Sequence, residues 1–301
     1  MLLTKIISTF TLLLFTLFAI ASDEDELATL YGDEAFISIA TGISQPISKA
    51  PAVASVITAK DIKLIGATDL DTVLETIPGL HVSTRAQGYS PNYIFRGIHT
   101  GSNPQVLMLI NGIPLTSLYL GDRNQVWGGF PIESISRIEV IRGPGSAIYG
   151  ADAFAGVINI VTKGANEIAG LEVGARYGSF ETKEWWLSYG KSNDETHISA
   201  HIEIHDTDGQ HERINADAQS FLDATSGTSA SMAPGNVNLN RQNVDARFIL
   251  GHRNITFNAG VQLRDDYGVG SGLAQALDPR GQVSSNRYNA DLTYNNEKVT
   301  E

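Results

Sequence analysis

The sequence predicts an α+β domain followed by antiparallel strands of the kind that build a transmembrane β-barrel. Three observations carry this prediction. Residues 50–164 mix capped helices with wholly apolar strands. Residues 165–301 repeat a two-residue alternation in segments of about 9–11 residues, joined by tight and long connections. Beyond the N-terminus no run of about 20 apolar residues exists, which excludes helical membrane spans but not strands.

Composition narrows the function classes. The chain has 301 residues, 21 Lys+Arg against 33 Asp+Glu, a net charge of -12 and no cysteine. Disulfides, thiolate metal sites and cysteine nucleophiles are therefore excluded. The acidic balance argues against a general nucleic-acid binder, which carries a basic patch.

The first 21 residues read as a secretory signal peptide. Lys5 is a short positive region, residues 6–18 are uncharged and almost entirely apolar, and Ala19-Ile20-Ala21 fits the small-x-small cleavage pattern. An exported chain is expected. Residues 22–49 follow as a flexible arm: an acidic start, then Ala35-Phe36-Ile37-Ser38-Ile39-Ala40-Thr41, then Gly42, Pro46 and Ser48. A strand-like stretch on a mobile arm can add to a partner's sheet edge. It can equally be the first strand of the next domain.

In residues 50–164, a strand over 53–57 leads into a helix opened by Thr58 with Asp61 at capping-box spacing and closed by Gly66. Thr68 with Asp71 repeats the device. Leu70, Val73, Leu74 and Ile77 then form one apolar stripe, ended by Pro78-Gly79. Residues 106–110, 135–141 and 157–161 read as strands, with Asn111-Gly112 as a turn. Polar loops span 83–91, 100–104 and 116–127.

Residues 165–301 read as about six strands. Ile255, Phe257, Ala259, Val261 and Leu263 alternate with polar neighbours, as do Ile198, Ala200, Ile202 and Ile204. Tight links fall near 178–182, 192–195 and 252–254, and long polar excursions near 207–240 and 265–286. Short turns alternating with long loops suit an outer-membrane barrel. Tyr177, Tyr189, Tyr288 and Tyr294 fall where an aromatic girdle would sit. A soluble β-sandwich, which also alternates, stays open at this point.

Gly143-Pro144-Gly145 fails a dinucleotide fingerprint at Ile148 and fails a P-loop at Ala151-Asp152, so no nucleotide cofactor is expected. His197, His201 and His205 share a strand face but span about 13 Å, too far for one metal ion. They read as polar residues facing a wet interior. Asp206, Asp208, His211 and Glu212 cluster in a loop and read as solvated, with calcium as the alternative. No triad and no carboxylate pair with a defined setting is present, so no enzyme is expected.

One set of residues carries a family resemblance. Tyr93-Ile94-Phe95-Arg96-Gly97, then Val106 through to Asn111-Gly112-Ile113-Pro114, then Arg137-Ile138-Glu139-Val140-Ile141-Arg142-Gly143-Pro144 with Tyr149-Gly150, and then Gly156-Val157-Ile158-Asn159-Ile160, occur in order. They resemble the plug domain of TonB-dependent outer-membrane receptors. The resemblance covers about residues 35–164; the strands beyond match in style.

The resemblance implies a plug inside a 22-stranded barrel of which this chain holds the first strands, as a part of a longer receptor, since open strand edges cannot face lipid. It implies a scarce extracellular ligand such as a ferric siderophore, haem or cobalamin, outer-membrane lipid around the barrel, and TonB with its inner-membrane energising complex as partner. The alternative is a plug-bearing binding or signalling module, or a fragment that does not transport. Residues 35–41 then resemble the TonB box, with Ser38 where an apolar residue is common and Ile39 where Thr is common. By position, the resemblance makes Arg85, Gln87, Tyr89, Thr100, Ser102, Tyr119, Arg123 and Asn124 the candidate ligand-facing residues. It makes Arg96, Glu139 and Arg142 candidates for plug–barrel or plug-internal ion pairs.

Overall fold

The computed structural model describes residues 36–39, 45–49, 53–84, 90–101, 103–116 and 128–295. The first unit is built on a five-stranded mixed sheet. Strands β1 (Phe36–Ile37) and β2 (Gln45–Pro46) form a minimal antiparallel pair ahead of it. Strand β3 (Ala54–Thr58) leads into α1 (Ala59–Ile65). The capping box forms as the spacing predicts: Thr58 Oγ1 accepts from the Asp61 N–H, and Asp61 Oδ2 accepts from the Thr58 N–H at 2.9 Å. Gly66 closes the helix in the left-handed region at φ 71°.

Helix α2 (Leu70–Glu75) departs from the expected cap by one residue. Asp69, not Thr68, is the N-cap and accepts from the Thr72 N–H at 2.8 Å. Asp71 is thereby released to accept from the Tyr93 hydroxyl at 2.7 Å. The stripe Leu70, Val73, Leu74 and Ile77 is buried as its spacing demands.

A hairpin of β4 (Leu80–Thr84) and β5 (Pro91–Phe95) follows, then β6 (Val106–Ile110), β7 (Ile113–Pro114), β8 (Ile135–Arg142), the short helix α3 (Ser146–Tyr149) and β9 (Gly156–Thr162). The sheet order is β3-β8-β9-β6-β7, with β6 and β9 parallel. Strand β6 is apolar throughout because both of its faces are covered. On one face Met108, Ile138, Ile158 and Ile160 meet the helices and the β4–β5 hairpin. On the other, Leu107, Leu109, Ile141 and Val157 form a second cluster with Ile37 and Ile39. The described parts of the expected free arm are thus folded against the sheet.

The short helix α4 (Ala165–Ile168) leads to a wall of antiparallel strands: β10 (Gly170–Tyr177), β11 (Lys183–Ser192), β12 (Thr196–Thr207), β15 (Arg241–His252), β16 (Ile255–Gly268) and β17 (Gln282–Tyr294). A small hairpin, β13 (Arg213–Ile214) with β14 (Gly235–Asn236), and helix α5 (Ala218–Ser226) lie in the loop between β12 and β15. Short turns 193–195 and 253–254 share one end, where Arg253 makes a forked pair with Glu195 at 2.8 and 2.9 Å. The long loops share the other end. Tyr177 and Tyr294 close their strands, but Tyr288 stands in the middle of β17, not at its end.

The wall is inverted relative to a soluble sheet. Its buried face is polar: Glu184, Ser188, Ser199, Glu203, Asn243, Asp245 and Arg264 all point at the first unit. Its apolar residues Leu171, Val173, Trp185, Leu187 and Leu292 point outward, and Trp185 is 61% exposed. A sandwich buries its apolar face between sheets, so this arrangement excludes the sandwich reading. No helix among the described residues is long and apolar enough to cross a membrane, which says nothing of strands.

Candidate functional site

Glu139 is the centre of the first candidate site. It lies on β8, paired across the sheet with Val56 and Asn159, and is fully buried. A buried carboxylate must be paired and hydrogen-bonded. Arg137, two residues back on the same strand face, donates through Nε at 2.9 Å. Asn159 Nδ2 donates from the neighbouring strand at 3.4 Å, and the rest of the demand is met from a hundred residues away. The main-chain N–H groups of Ser38 and Ile39 donate to Glu139 Oε2 at 3.1 and 3.2 Å, and Ser38 Oγ donates at 3.0 Å. Ile37 and Ile39 flank these bonds and are buried among Leu107, Ile141 and Val157. Tyr149 packs at the edge of this cluster, and burial, then the nearby Glu139, pushes its hydroxyl above 10.

Of residues 35–41, the side chains of Ile37, Ser38 and Ile39 and the backbone of Phe36 are described; Ala35, Ala40 and Thr41 lie outside the described residues. The three charged candidates do not act together. Glu139 pairs with Arg137, which the sequence reading passed over although it is two residues away on the same strand. Arg96 donates to the Arg142 carbonyl at 3.1 Å, and Arg142 to the Pro78 carbonyl at 2.9 Å. Among the described residues neither guanidinium meets a carboxylate, which corrects the expectation of ion pairs there: each is placed beside carbonyl oxygens at a chain turn, where Arg96 itself adopts φ 50°.

Of the ligand-facing candidates only Thr100 is described. It is exposed, its hydroxyl donates to Gln105 Oε1 at 2.7 Å, and its carbonyl accepts from Asn92 Nδ2. Arg85, Gln87, Tyr89, Ser102, Tyr119, Arg123 and Asn124 lie outside the described residues. The stems of the 85–89 loop, Thr84 and Pro91, border a cleft of about 420 Å³ with Glu75, Gln210, Leu239 and Tyr267. In it the Glu75 carboxyl is held below its usual range by the Val82 N–H at 2.6 Å, then by His81.

The contact between plug-like unit and wall is polar and was invisible in the sequence. Arg176 of β10 joins Glu133 at 2.6 Å and also Glu184 of β11. Lys163 Nζ meets Glu172 at 3.1 Å. His201, read as a lumen residue, is buried between Ser188 Oγ at 2.9 Å and the Lys163 carbonyl at 3.0 Å. The carbonyl requires a donor, so Nε2 carries the proton. Asn243 and Tyr267 donate to the carbonyls of Gly129 and Gly128 at 2.9 and 3.1 Å. A bulge between Arg264 and Tyr267 turns Tyr267 inward. Only glycine fits at 129: φ is 63°, and a Cβ would stand 2.6 Å from Asn243 Nδ2. His197, His201 and His205 share the inner face as expected, and among the described residues no three His, Asp or Glu gather on one point, the 206–212 cluster included.

Residues 46–157 match the family described as TonB-dependent Receptor Plug Domain. The vitamin B12 transporter BtuB of Vibrio vulnificus is 34% identical over 153 residues, 50% of this chain and 24% of that protein. The iron-regulated outer membrane virulence protein of Vibrio cholerae is 36% identical over 156 residues, 50% of this chain and 22% of that protein. The chain thus spans about a quarter of the length of these relatives. Among solved structures, the pyoverdine outer membrane receptor FpvA of Pseudomonas aeruginosa bound to pyoverdine matches with TM-score 0.56 at 19% identity, over 78% of this chain and 31% of that one. The ferric enterobactin receptor PfeA of the same organism matches with TM-score 0.52 at 23% identity, over 77% and 35%. At these identities the structures speak for the fold: a plug followed by antiparallel wall strands. Residues 46–157 thus carry the match to the TonB-dependent receptor plug domain, and the fold agrees with it.

Proposed function

We propose that this protein serves an outer-membrane receptor of a Gram-negative cell that binds a scarce external ligand and admits it to the periplasm with energy delivered by TonB. The observation that carries the reading is the docked segment at residues 36–39, strand at Phe36–Ile37 and turning at Ser38 and Ile39. It is held to the plug through main-chain N–H groups, the same groups that strand addition to a partner would use. A short segment, tied by few bonds to a carboxylate in the plug sheet, is a handle through which a pull reaches that sheet. The outward apolar face of the wall suits lipid, and the end bearing the long loops suits the outside. The signal peptide read at residues 1–21 supplies the export route.

The ligand class follows the relatives only as far as their names: vitamin B12 and iron chelates are the probes to try. The protein, expressed in a strain lacking its own cobalamin and ferric-catecholate receptors, should restore uptake of one of these. Uptake should cease without TonB and with Ile37→Pro, which removes a main-chain donor beside the dock. Uptake that persists without TonB would refute the proposal.

A further inference from the structure

The wall sets two carboxyl side chains against each other where it meets the plug. Glu184 on β11 and Glu203 on β12 lie on the inner face of adjacent strands, one diagonal step apart: Glu184 is paired with His205, and Glu203 with Trp186. Both are buried, at 2% and 4% exposed. Neither oxygen of Glu203 meets a donor among the described residues, and the group within its hydrogen-bond reach is the Glu184 carboxyl. Two ionised carboxylates are acceptors only, so they repel at such a separation. One proton between them turns the contact into a charge-assisted O–H···O⁻ bond.

The surroundings do not remove the need for that proton. Arg176 of β10 is divided between Glu184 and Glu133 of the plug, and its guanidinium stands over the Trp186 ring at 5.3 Å. Asp245 of β15 is engaged by Arg264 of β16 and by Gln262. Arg241 of β15 lies beside His205 and makes no ion pair among the described residues. Nε2 of His205, across from Glu184, reaches no partner among them either. His201, two residues from Glu203 along β12, is spent on Ser188 and the Lys163 carbonyl. Asp69 faces the pair from the plug, where its Oδ1 caps α2. Asp69, Glu133, Glu184, Glu203 and Asp245 thus share Arg176, Arg241 and Arg264, and the shortfall of positive charge falls on Glu203, whose partner is another acid.

We propose that Glu184 and Glu203 form a proton-binding site, holding one proton between them at neutral pH, and that this proton fastens the wall to the plug. The proton belongs to the pair rather than to either residue. It leaves a single negative charge on the pair, which Arg176 satisfies while it also holds Glu133. Without the proton a second buried charge competes for the same guanidinium, Glu133 loses its share, and water enters the cavity of about 400 Å³ that the pair borders. Loss of the proton is favoured in whatever state separates the two carboxyls, so raising the pH loosens the seam. The inference goes beyond the transport reading and does not depend on it, and the site is separate from the Glu139 dock.

The test uses the protein in detergent micelles. Infrared spectra at neutral pH should show the carbonyl stretch of a protonated carboxylic acid, shifted in D₂O, that disappears in both Glu203→Gln and Glu184→Gln. Glutamine at 203 offers Glu184 an N–H where the acid offers an O–H, so that variant should fold. The chain has no cysteine, and Ser134→Cys places a lone thiol on the plug side of the seam, buried beside Trp186 and Glu203. Between about pH 7 and about pH 10, where buried carboxyls give up their protons, labelling of this thiol should rise at least tenfold more with Glu203 present than in Glu203→Gln. The comparison cancels ionisation of the thiol itself. A thiol at Met108, in the plug core, should stay protected throughout. An acid band that is absent from the wild-type protein, or that survives both Gln variants, overturns the shared proton. Equal rises in labelling with and without Glu203 overturn its part in the seam. Should the Gln variants fail to fold, the acid band and the protection of the thiol at 134 must be lost over the same pH interval, and loss of one without the other overturns the proposal.

Discussion

Replacing Glu139 by Gln tests how the segment 36–39 is held. The carboxylate accepts three bonds from this segment, two from main-chain N–H groups and one from the Ser38 hydroxyl. Hydrogen bonds to a charged acceptor contribute about 1.5–3 kcal/mol each, against about 1 for a neutral one. Glutamine keeps the shape and one acceptor oxygen, but turns an NH₂ toward donors. Losing the charge across three bonds weakens docking by about 2–4 kcal/mol, or roughly 30- to 1,000-fold in the undocked population at about 1.4 kcal/mol per tenfold. Burial of Ile37 and Ile39, about 1.5–3 kcal/mol each, keeps the strand mostly docked in both proteins. The natural chain has no cysteine, so Ile39→Cys supplies a lone, buried thiol whose labelling rate follows the opening equilibrium. That rate should rise at least 30-fold when Glu139→Gln is added. A thiol placed at Met108, in the main core, should stay protected in both backgrounds and so exclude global loosening. A rise below threefold at position 39 would refute the carboxylate as the hold.

Four further perturbations have defined outcomes. Val173→Arg sets a charge on the outward face of β10; in lipid it should cost about 2–4 kcal/mol in denaturant unfolding from vesicles, whereas on a watered surface the change stays within about 0.5. Tyr93→Phe leaves Asp71 without its 2.7 Å donor and should lower plug stability by about 1–2 kcal/mol, read from the denaturant midpoint. Gly190→Leu drives a Cβ to 2.6 Å from the Ala165 carbonyl and 2.7 Å from Ile168; it should lift α4 from β11 at a cost of about 1–3 kcal/mol and speed proteolysis near residues 164–170. Asp223, in the long loop after β12, has its carboxyl lowered to about 2 by the Thr228 hydroxyl, then the Ser231 N–H and the Gln219 amide. A depressed carboxyl stabilises fully above its unfolded value of 3.8 and loses that contribution as pH falls through about 2. Amide exchange at Ser231 should therefore stay slow at pH 4 and accelerate near pH 2.

What the sequence revealed was local. The Thr58–Asp61 box, the Leu70–Val73–Leu74–Ile77 stripe and the alternation of the wall strands are each complete within about a dozen residues, so pattern alone located them. The second cap slipped by one because Thr68 and Asp69 are both competent caps, and the choice is made by Tyr93, more than twenty residues on, which claims Asp71. The dock of Ser38 on Glu139 spans a hundred residues and leaves no local trace, although Ser38 already stood out as a polar residue where an apolar one is common. Once Glu139 is seen beneath it, its hydroxyl has a use. The bulge that turns Tyr267 inward shifts side-chain parity by one, and period-2 reading cannot register such a shift.

The inverted wall bears on how the plug can move. The plug's own interior is dry, and opening it exposes residues such as Leu74, Ile138 and Ile158 at about 1.5–3 kcal/mol each. The plug–wall contact is different in kind. It consists of carbonyls, carboxylates, guanidiniums and the His201 bridge, groups that exchange a protein partner for water at a net cost nearer 1 kcal/mol per bond. A force arriving through residues 36–39 enters the plug at β8, between β3 and β9, where main-chain ladders run on both sides. The bonds from the strand to Glu139 and those from plug to wall are each few and polar, while the sheet that joins them is apolar and laddered. Such a load therefore shifts the plug along the wall before it opens the sheet, since residues 36–39 are held by the buried side chains of Ile37 and Ile39 as well as by Glu139. The order is set by solvent: the joints that water can replace give way first, and the core that water cannot replace moves as a body.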